Sequence, residues 1–400
     1  MEYARQQFDV AIAGGGPAGS SAAIRLVLNG ARVLLLEEKK FPRPKLCGEF
    51  ISPECLTHFR ELGVIDQMLA AGATTLDQTV FYSTRGKQLT VPSEWFKFNT
   101  AALGLSRSEM DYELLNRARN AGAIVIENAH AADLIFDREQ VCGVKVRTGN
   151  TLTEYLAHLT IDATGRNRSL ARRLDRIDRQ GSNKRRRSLV AFKAHFENTA
   201  AVSGTCEIYS YPGGYGGLSA IEGGASNLCF IASADDVRRN ASNPDRVMRE
   251  VVMRNARAAR TLANARLRSP WLSVSLEGFG RRSLAPARGL LTIGDAASFI
   301  DPFTGSGMLM AMESGQVAAE TITFALGGAA LESVSRHYEV EYEKQFNKRL
   351  RVSSLLRRAA FVPYLADAAI YFLSLSPRLR RTVARATRQS REPQPHPSVT

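Results

Sequence analysis

The 400-residue chain is 44% apolar and 23% charged, the composition of an ordinary soluble globular protein long enough for two or three lobes. Five cysteines (Cys47, Cys55, Cys142, Cys206, Cys229) form no Cys-x-x-Cys pair and share no ligand spacing with the six histidines, which excludes a disulfide framework and a zinc site and suits a reducing cytosol. The net charge of +14 is lopsided: residues 344–391 carry twelve Lys/Arg against one acid, Asp367, so +11 of it lies near the C-terminus, and no nucleic-acid reader motif accompanies it.

No signal peptide precedes the first strand, "DVAIA", which predicts a cytoplasmic protein. "GGGPAG" follows with Gly14-x-Gly16-x-x-Gly19, then a helix closed by Gly30, then a buried strand, "ARVLLLEE", that reaches Glu37. Gly14 permits the tight turn, Gly16 lets a pyrophosphate approach the backbone, and Gly19 lets helix pack on strand. Glu37 is placed to accept hydrogen bonds from a ribose. This is a dinucleotide fingerprint in its proper context, and by itself it leaves NAD and FAD open.

Further on, "TVFYST" (79–84), "LVAFKAHF" (189–196) and "NLCFIAS" (227–233) alternate as strands of a second sheet. Residues 235–262 read as one helix with a cationic outer face. "LLTIGDAASFIDPFTGSGMLMAME" (290–313) repeats the opening device: a strand ending at Asp295, a turn at Pro302, and a helix start after Gly305 and Gly307. FAD is long enough to need holding at both ends. Asp295 suits ribityl hydroxyls, and the helix dipole suits the pyrimidine edge of a flavin, where the reduced ring is negative. The basic, apolar run at 359–376 contains Pro363 and Asp367, so it does not make the roughly 20-residue apolar span a bilayer requires. It reads either as an interface-lying element on the inner face of a membrane, with snorkelling arginines, or as a basic helix packed on its own domain.

These segments resemble the FAD-dependent family that includes para-hydroxybenzoate hydroxylase, the geranylgeranyl reductases and the flavin-dependent halogenases. "GGGPAG" matches its phosphate motif, "IDATGRNRS" (161–169) its Asp-Gly segment, and "IGDAASFIDPFTGSG" its ribityl segment. "FPRPKLCGEF" (41–50) and "PGGYGG" (212–217) point to the geranylgeranyl-reductase branch. The resemblance implies an α/β protein: a discontinuous Rossmann-like FAD-binding domain (1–78, 101–180, 276–330) interleaved with an antiparallel-sheet substrate domain (79–100, 181–275). A C-terminal helical, basic segment (331–391) and a disordered tail (392–400) complete it. It implies FAD contacts from Gly14, Gly16, Pro17, Ala18, Gly19, Glu37, Arg43, Cys47, Gly48, Arg107, Ala131, Asp295, Pro302, Gly305, Gly307 and Met308. Two departures stand out: Glu38 follows the ribose acid where the family often has a basic residue, and "PGGYG" continues as "GLSAIE" without the branch's tryptophan and proline.

With no second fingerprint, NADH or NADPH would bind transiently, or a separate electron donor would serve. The reduced cofactor could then pass hydride to an alkene, activate oxygen for hydroxylation of an aromatic or polyketide substrate, or oxidise a halide. The halogenase motif Trp-x-Trp-x-Ile-Pro is missing, the only tryptophans being Trp95 and Trp271, which sets the third route aside. Cys47 and Tyr215 are the candidate catalytic residues, Tyr215 as a proton donor or as a ring packed over the site. Arg43 and Lys45 are candidate phosphate or ribose ligands; His195 reads as structural. Double-bond reduction of a hydrophobic substrate (isoprenoid, quinone or lipid-like polyketide) leads and hydroxylation follows. A non-catalytic flavin-binding docking protein at a membrane is the reading of another class.

Overall fold

The strand Gln7–Ala13 is apolar on both faces, as a strand covered by helices on each side must be. The helix Pro17–Leu28 carries the chain over to Val33–Leu36, which pairs with it in parallel, and Ile124–Ile126 and Thr151–Asp162 extend the sheet on either side. The long strand Thr151–Asp162 changes partner along its length. Its first half pairs antiparallel with Gln140–Thr148, and its last three residues pair in parallel with Leu290–Thr292. The computed structural model describes residues 7–97, 99–174, 189–328, 331–360, 370–374 and 376–386. The predicted tail at 392–400 and most of the apolar run at 359–376 therefore lie outside the described residues.

Register decides where the site lies. Ala13 is level with Leu36 and with Asp162, Leu36 with Ile126, and Asp162 with Thr292. Five parallel strands thus stop along one line, and the turns that follow them open onto a common crevice.

Helix Pro17–Leu28 and helix Gly307–Leu326 pack directly together. A Cβ on Gly315 would stand 2.6 Å from the Ala18 carbonyl oxygen, so only glycine permits the approach. Ser21 Oγ donates to Met312 O across the same contact at 3.1 Å, and the Gly294 N–H donates to Ser314 Oγ at 2.8 Å. The two strand–glycine–helix devices are one packed unit. Helix Leu331–Ala360 covers it with Tyr338, Tyr342 and Phe346, buried at helical spacing, and with Arg349, whose Nη1 meets Glu313 Oε2 at 2.6 Å in full burial.

The second lobe is a sheet running Arg266–Leu267, Leu189–Glu197, Ser226–Ser233, Gly214–Ala220, Thr205–Tyr211, Gln78–Tyr82, Gln88–Pro92, with Leu272–Leu276 also pairing Leu189–Glu197. The three strands expected from alternation are present. The sheet is antiparallel except where Thr205–Tyr211 meets Gln78–Tyr82 in parallel, because the latter arrives on a separate excursion of the chain. Along Leu189–Glu197 the even residues Phe192, Ala194 and Phe196 enter the core against the helices behind the sheet. The odd residues Lys193 and His195 face the cofactor lobe.

Residues 235–262 are three short helices rather than one: Ala234–Arg239, Pro244–Glu250 and Ala256–Leu262. The breaks come from side chains that compete with the helix: Ser233, Asn243 and Asn255 each cap a new start, and Pro244 cannot continue an old one. Asn255 is fully buried. Its Oδ1 accepts from the Arg257 and Ala258 N–H groups while its Nδ2 donates to the carbonyls of Tyr82, Ser83 and Ser210 at 3.1, 2.9 and 3.0 Å. Among the described residues no helix is long and apolar enough to cross a membrane.

Asn255→Ala removes a cap and leaves three buried carbonyls short of a donor, so we expect a loss of about 3 kcal/mol in urea unfolding. A loss below about 1 kcal/mol would mean that water replaces the amide.

Candidate active site

A cavity of about 650 Å³ opens at the line where the parallel strands end and runs on between the two lobes. From the first device, Gly14, Gly16, Pro17 and Ala18 line it. Gly14 has φ +109°, and a Cβ there would sit 2.3 Å from the Ala163 carbonyl oxygen, so the turn admits no side chain. Gly19 does not reach the cavity; its missing Cβ would stand 1.9 Å from Gly14 O, which makes it a packing glycine behind the wall. Glu37 Oε2 accepts the Gly15 N–H at 2.9 Å and its Oε1 accepts the Lys39 N–H at 3.0 Å, so this carboxylate shapes the turn. Glu38, the departure from the family pattern, points aside to His130 Nδ1 at 3.6 Å. Ala131 stands on the same wall.

Arg43 lies between Glu37 and Asp111, 3.4 Å from each, with its guanidinium 4.4 Å over the Phe41 ring. Arg107 opens helix Arg107–Ala121 and grips Asp111 with two bonds, 2.7 and 2.8 Å. Burial works against the Arg107 charge, but Asp111 and then Cys47 outweigh it and hold the guanidinium firmly protonated.

From the second device, Asp295, Pro302, Gly305, Gly307 and Met308 line the opposite wall, and the helix Gly307–Leu326 begins there with its positive end at the cavity. Burial pushes the Asp295 carboxyl up, while Arg166, Lys45 and Arg107 draw it back. Asp162, fully buried, accepts from Thr164 N–H and Oγ, Leu170 N–H and Ala171 N–H, and so folds "DATGRNRS" into a turn that sends Arg166 to the cavity. Lys45 and Arg166 join Arg43 and Arg107 in a concentration of cations. The Lys45 ammonium is pushed below its ordinary range by burial and by Arg107, Arg43 and Arg166.

Cys47 and Gly48 form the stretch of wall beneath the second sheet. The Cys47 carbonyl accepts from Asn227 Nδ2 at 3.1 Å, and its Sγ accepts the Glu49 N–H at 3.4 Å. Tyr215 lines the cavity with its ring, and its hydroxyl donates to Asp301 Oδ1 at 2.6 Å. Burial and Asp301 raise the phenol well above its ordinary range, so the proton stays on this pair.

The sequence reading did not foresee the cluster that ties the lobes together here. Glu49, fully buried with φ +53°, accepts from Lys193 Nζ, from the Arg107 N–H at 2.8 Å, and bonds His195 Nε2 at 2.7 Å. Burial alone would raise its carboxyl; the bonds from His195 and the charge of Lys193 reverse this and hold it below the ordinary carboxylate range. The signal for Lys193 and His195 was present in "FKAHF", where two polar residues occupy successive odd positions of a buried strand. Glu49 left no such trace, because its partners lie 58, 144 and 146 residues away.

Beyond Cys47 the cavity becomes apolar, between Phe81, Leu89 and Val91 of the second sheet and Leu373, Val383 and Ala384 of the C-terminal segment. That segment includes the helix Pro377–Ala386, and Lys87 Nζ over the Tyr371 ring at 4.9 Å pins its approach.

The family model for the FAD binding domain matches residues 7–352. The chain is 26% identical to digeranylgeranylglycerophospholipid reductase 2 of Methanopyrus kandleri, over 87% of this chain and 86% of that one. It is likewise 26% identical to the menaquinone reductase of Mycolicibacterium smegmatis, over 90% and 88%. Among solved structures it overlays on the flavin-dependent brominase Bmp2 with a TM-score of 0.78 at 24% identity, covering 96% and 93%, a likeness of fold. With two nucleotide-type devices packed into one unit and a family match across most of its length, this chain belongs to the FAD-binding-domain family and is an FAD-dependent oxidoreductase.

Proposed function

We propose that the protein reduces a carbon–carbon double bond of a hydrophobic substrate. One observation carries this reading: a single cavity begins at the two glycine devices, passes Cys47, and ends in an apolar chamber between the second sheet and the C-terminal helix. The reductases of digeranylgeranylglycerophospholipid and of menaquinone among its relatives support it. The brominase likeness does not draw the reading toward halogenation, since Trp95 and Trp271 stand far apart in the chain and form no paired motif.

The residues present fit FAD. Four cations, Arg43, Lys45, Arg107 and Arg166, gather at a cavity whose glycine turn and helix starts offer N–H groups to phosphate. Lys45, exposed at the cavity mouth, stands near three like charges, a position that a bound pyrophosphate or an anionic reduced ring would relieve. Gly14 and Gly16 would face the pyrophosphate, Glu37 the adenosine ribose, Asp295 the ribityl chain, and the start of helix Gly307–Leu326 the pyrimidine edge. Bound FAD, reduced by NADH or NADPH, supplies the hydride.

The chain must supply a proton to the second carbon. Cys47 is the proton donor in this reading: its S–H bond breaks, a C–H bond forms, and the thiolate left behind takes its proton back from solvent. The Glu49 N–H and the neighbouring Arg107 guanidinium stabilise that thiolate. Tyr215, whose proton is committed to Asp301, serves as a wall that orients the substrate.

Three outcomes test this. Incubation with membrane lipid extract, NAD(P)H and isotopically labelled oxygen should yield products that gain hydrogen only; label in the product would make the enzyme a hydroxylase. Cys47→Ala should keep FAD and lose about 100-fold or more in turnover, whereas Tyr215→Phe should keep turnover within a few-fold; equal losses would return the proton to Tyr215. For Lys45 the sign is set by its lowered folded-state pKa. Its ammonium opposes folding of the FAD-free protein only slightly at neutral pH, because solvent screens much of the penalty at this exposed side chain, and stability rises a little as pH climbs toward the ordinary lysine range. Lys45→Met should therefore raise the melting temperature of FAD-free protein near pH 7, flatten that rise, and weaken FAD binding about tenfold or more. A lowered melting temperature would show that Lys45 is paired instead.

A further inference from the structure

The apolar chamber is not apolar throughout. Arg380, on the helix Pro377–Ala386, lines it together with Leu373, Val383 and Ala384. Its guanidinium carbon stands 5.2 Å over the Trp95 ring, which fixes the plane of the group. Its Nε is buried and has no hydrogen-bond partner, and among the described residues no carboxylate forms an ion pair with it. The acids that line the cavity, Glu37, Glu38, Glu49 and Asp295, all belong to the cofactor lobe. The neighbouring Arg378 and Arg381, by contrast, are exposed to solvent.

A guanidinium costs free energy to bury, and the cost falls when a carboxylate or phosphate takes its planar fork. Arg380 is half-buried, and stacking on Trp95 offsets part of the cost but leaves its buried Nε without an acceptor. Among the described residues no carboxylate pairs with Arg380, while a chain lying along Phe81, Leu89 and Val91 would bring a terminal group to it.

We propose that Arg380 receives an anionic carboxylate or phosphate group of an amphiphilic substrate, whose apolar chain fills the chamber and whose reducible bond lies toward Cys47. The inference rests on the reading of this chamber as the substrate site and deepens it: the substrate is an anionic amphiphile, and the C-terminal helix selects it. Arg380 acts on binding and does not touch the reacting atoms.

The test measures binding to the FAD-loaded full-length protein by titration calorimetry, with oleate, its methyl ester and dodecyl phosphate as probes below their aggregation limits. Wild type should prefer oleate over the ester by about tenfold or more and should bind dodecyl phosphate as well. Arg380→Met should bring the preference near one while retaining the ester, which shows that the chamber is still formed. Arg380→Lys should retain part of the preference, and Arg381→Met, on the exposed side, all of it. A wild type that binds charged and neutral chains alike, or an Arg380→Met variant that keeps the preference, would overturn the assignment. A lipid headgroup held in a bilayer is separated from a free anion with vesicles containing phosphatidic acid. If only vesicles bind, and Arg381→Met weakens them as much as Arg380→Met, the charge acts at the surface and the pocket assignment falls. Because binding is read without turnover, a hydroxylase outcome in the product assay would leave this result standing, and a failed binding test would leave the reaction standing.

Discussion

The rest of the structure depends on one close contact between two helices. Helix Pro17–Leu28 and helix Gly307–Leu326 come from opposite ends of the chain, and they touch where Gly315 has no Cβ to keep the Ala18 carbonyl away. Helix Gly307–Leu326 buries most of its length, and helix Leu331–Ala360 presses on it with an aromatic stripe and a buried Arg349–Glu313 pair. Packing at that density leaves the two helix starts no freedom relative to each other. Their positive ends are held at a set spacing across the cavity, the preorganisation a long, doubly charged cofactor needs.

The second constraint is electrostatic and joins the lobes. Glu49 is a buried carboxylate in a backbone conformation unusual for a residue with a side chain, and it is held there by Lys193 and His195 from the second sheet and by the Arg107 backbone. Such a cluster adds little net stability, since desolvation of its charges offsets much of their attraction, but it is unforgiving of geometry. It fixes the Cys47–Glu49 stretch, the part of the cavity wall where the two lobes meet. Asn227, beside it in register with His195, ties the Cys47 carbonyl to the same sheet. The position of one thiol is thus set by residues from the first lobe and the second sheet together.

The charge distribution has two separate meanings. The cations at the cofactor end gather at one cavity, Arg43 and Arg107 paired with Asp111, and Lys45 lowered by burial and then by the arginines around it. Those near the C-terminus divide by helix face: Arg378 and Arg381 meet solvent, while Arg380 turns inward over Trp95. Net charge alone could not separate these roles, because a helix of ten residues sends its side chains in every direction.

What could be read from the chain by itself was what local chemistry enforces. Gly14, Gly16 and Glu37 are legible because turn, backbone approach and acid occur at short, characteristic intervals, and the second device repeats that local logic at Asp295 and Gly305. Strands such as Leu189–Glu197 are legible from alternation. The break of residues 235–262 into three helices was missed because a cationic stripe was followed and the caps at Asn243 and Asn255 were passed over. Other features have no local signature at all: the Glu49 cluster, the Asp301 partner of Tyr215, the inward turn of Arg380. Each is a contact between segments far apart in the chain, chosen by how the two sheets and the last helices dock. Short-range sequence pattern determined the elements and the class of cofactor; only tertiary packing decided which side chains share the cavity, because proximity across lobes depends on register and helix rotation that no local spacing encodes.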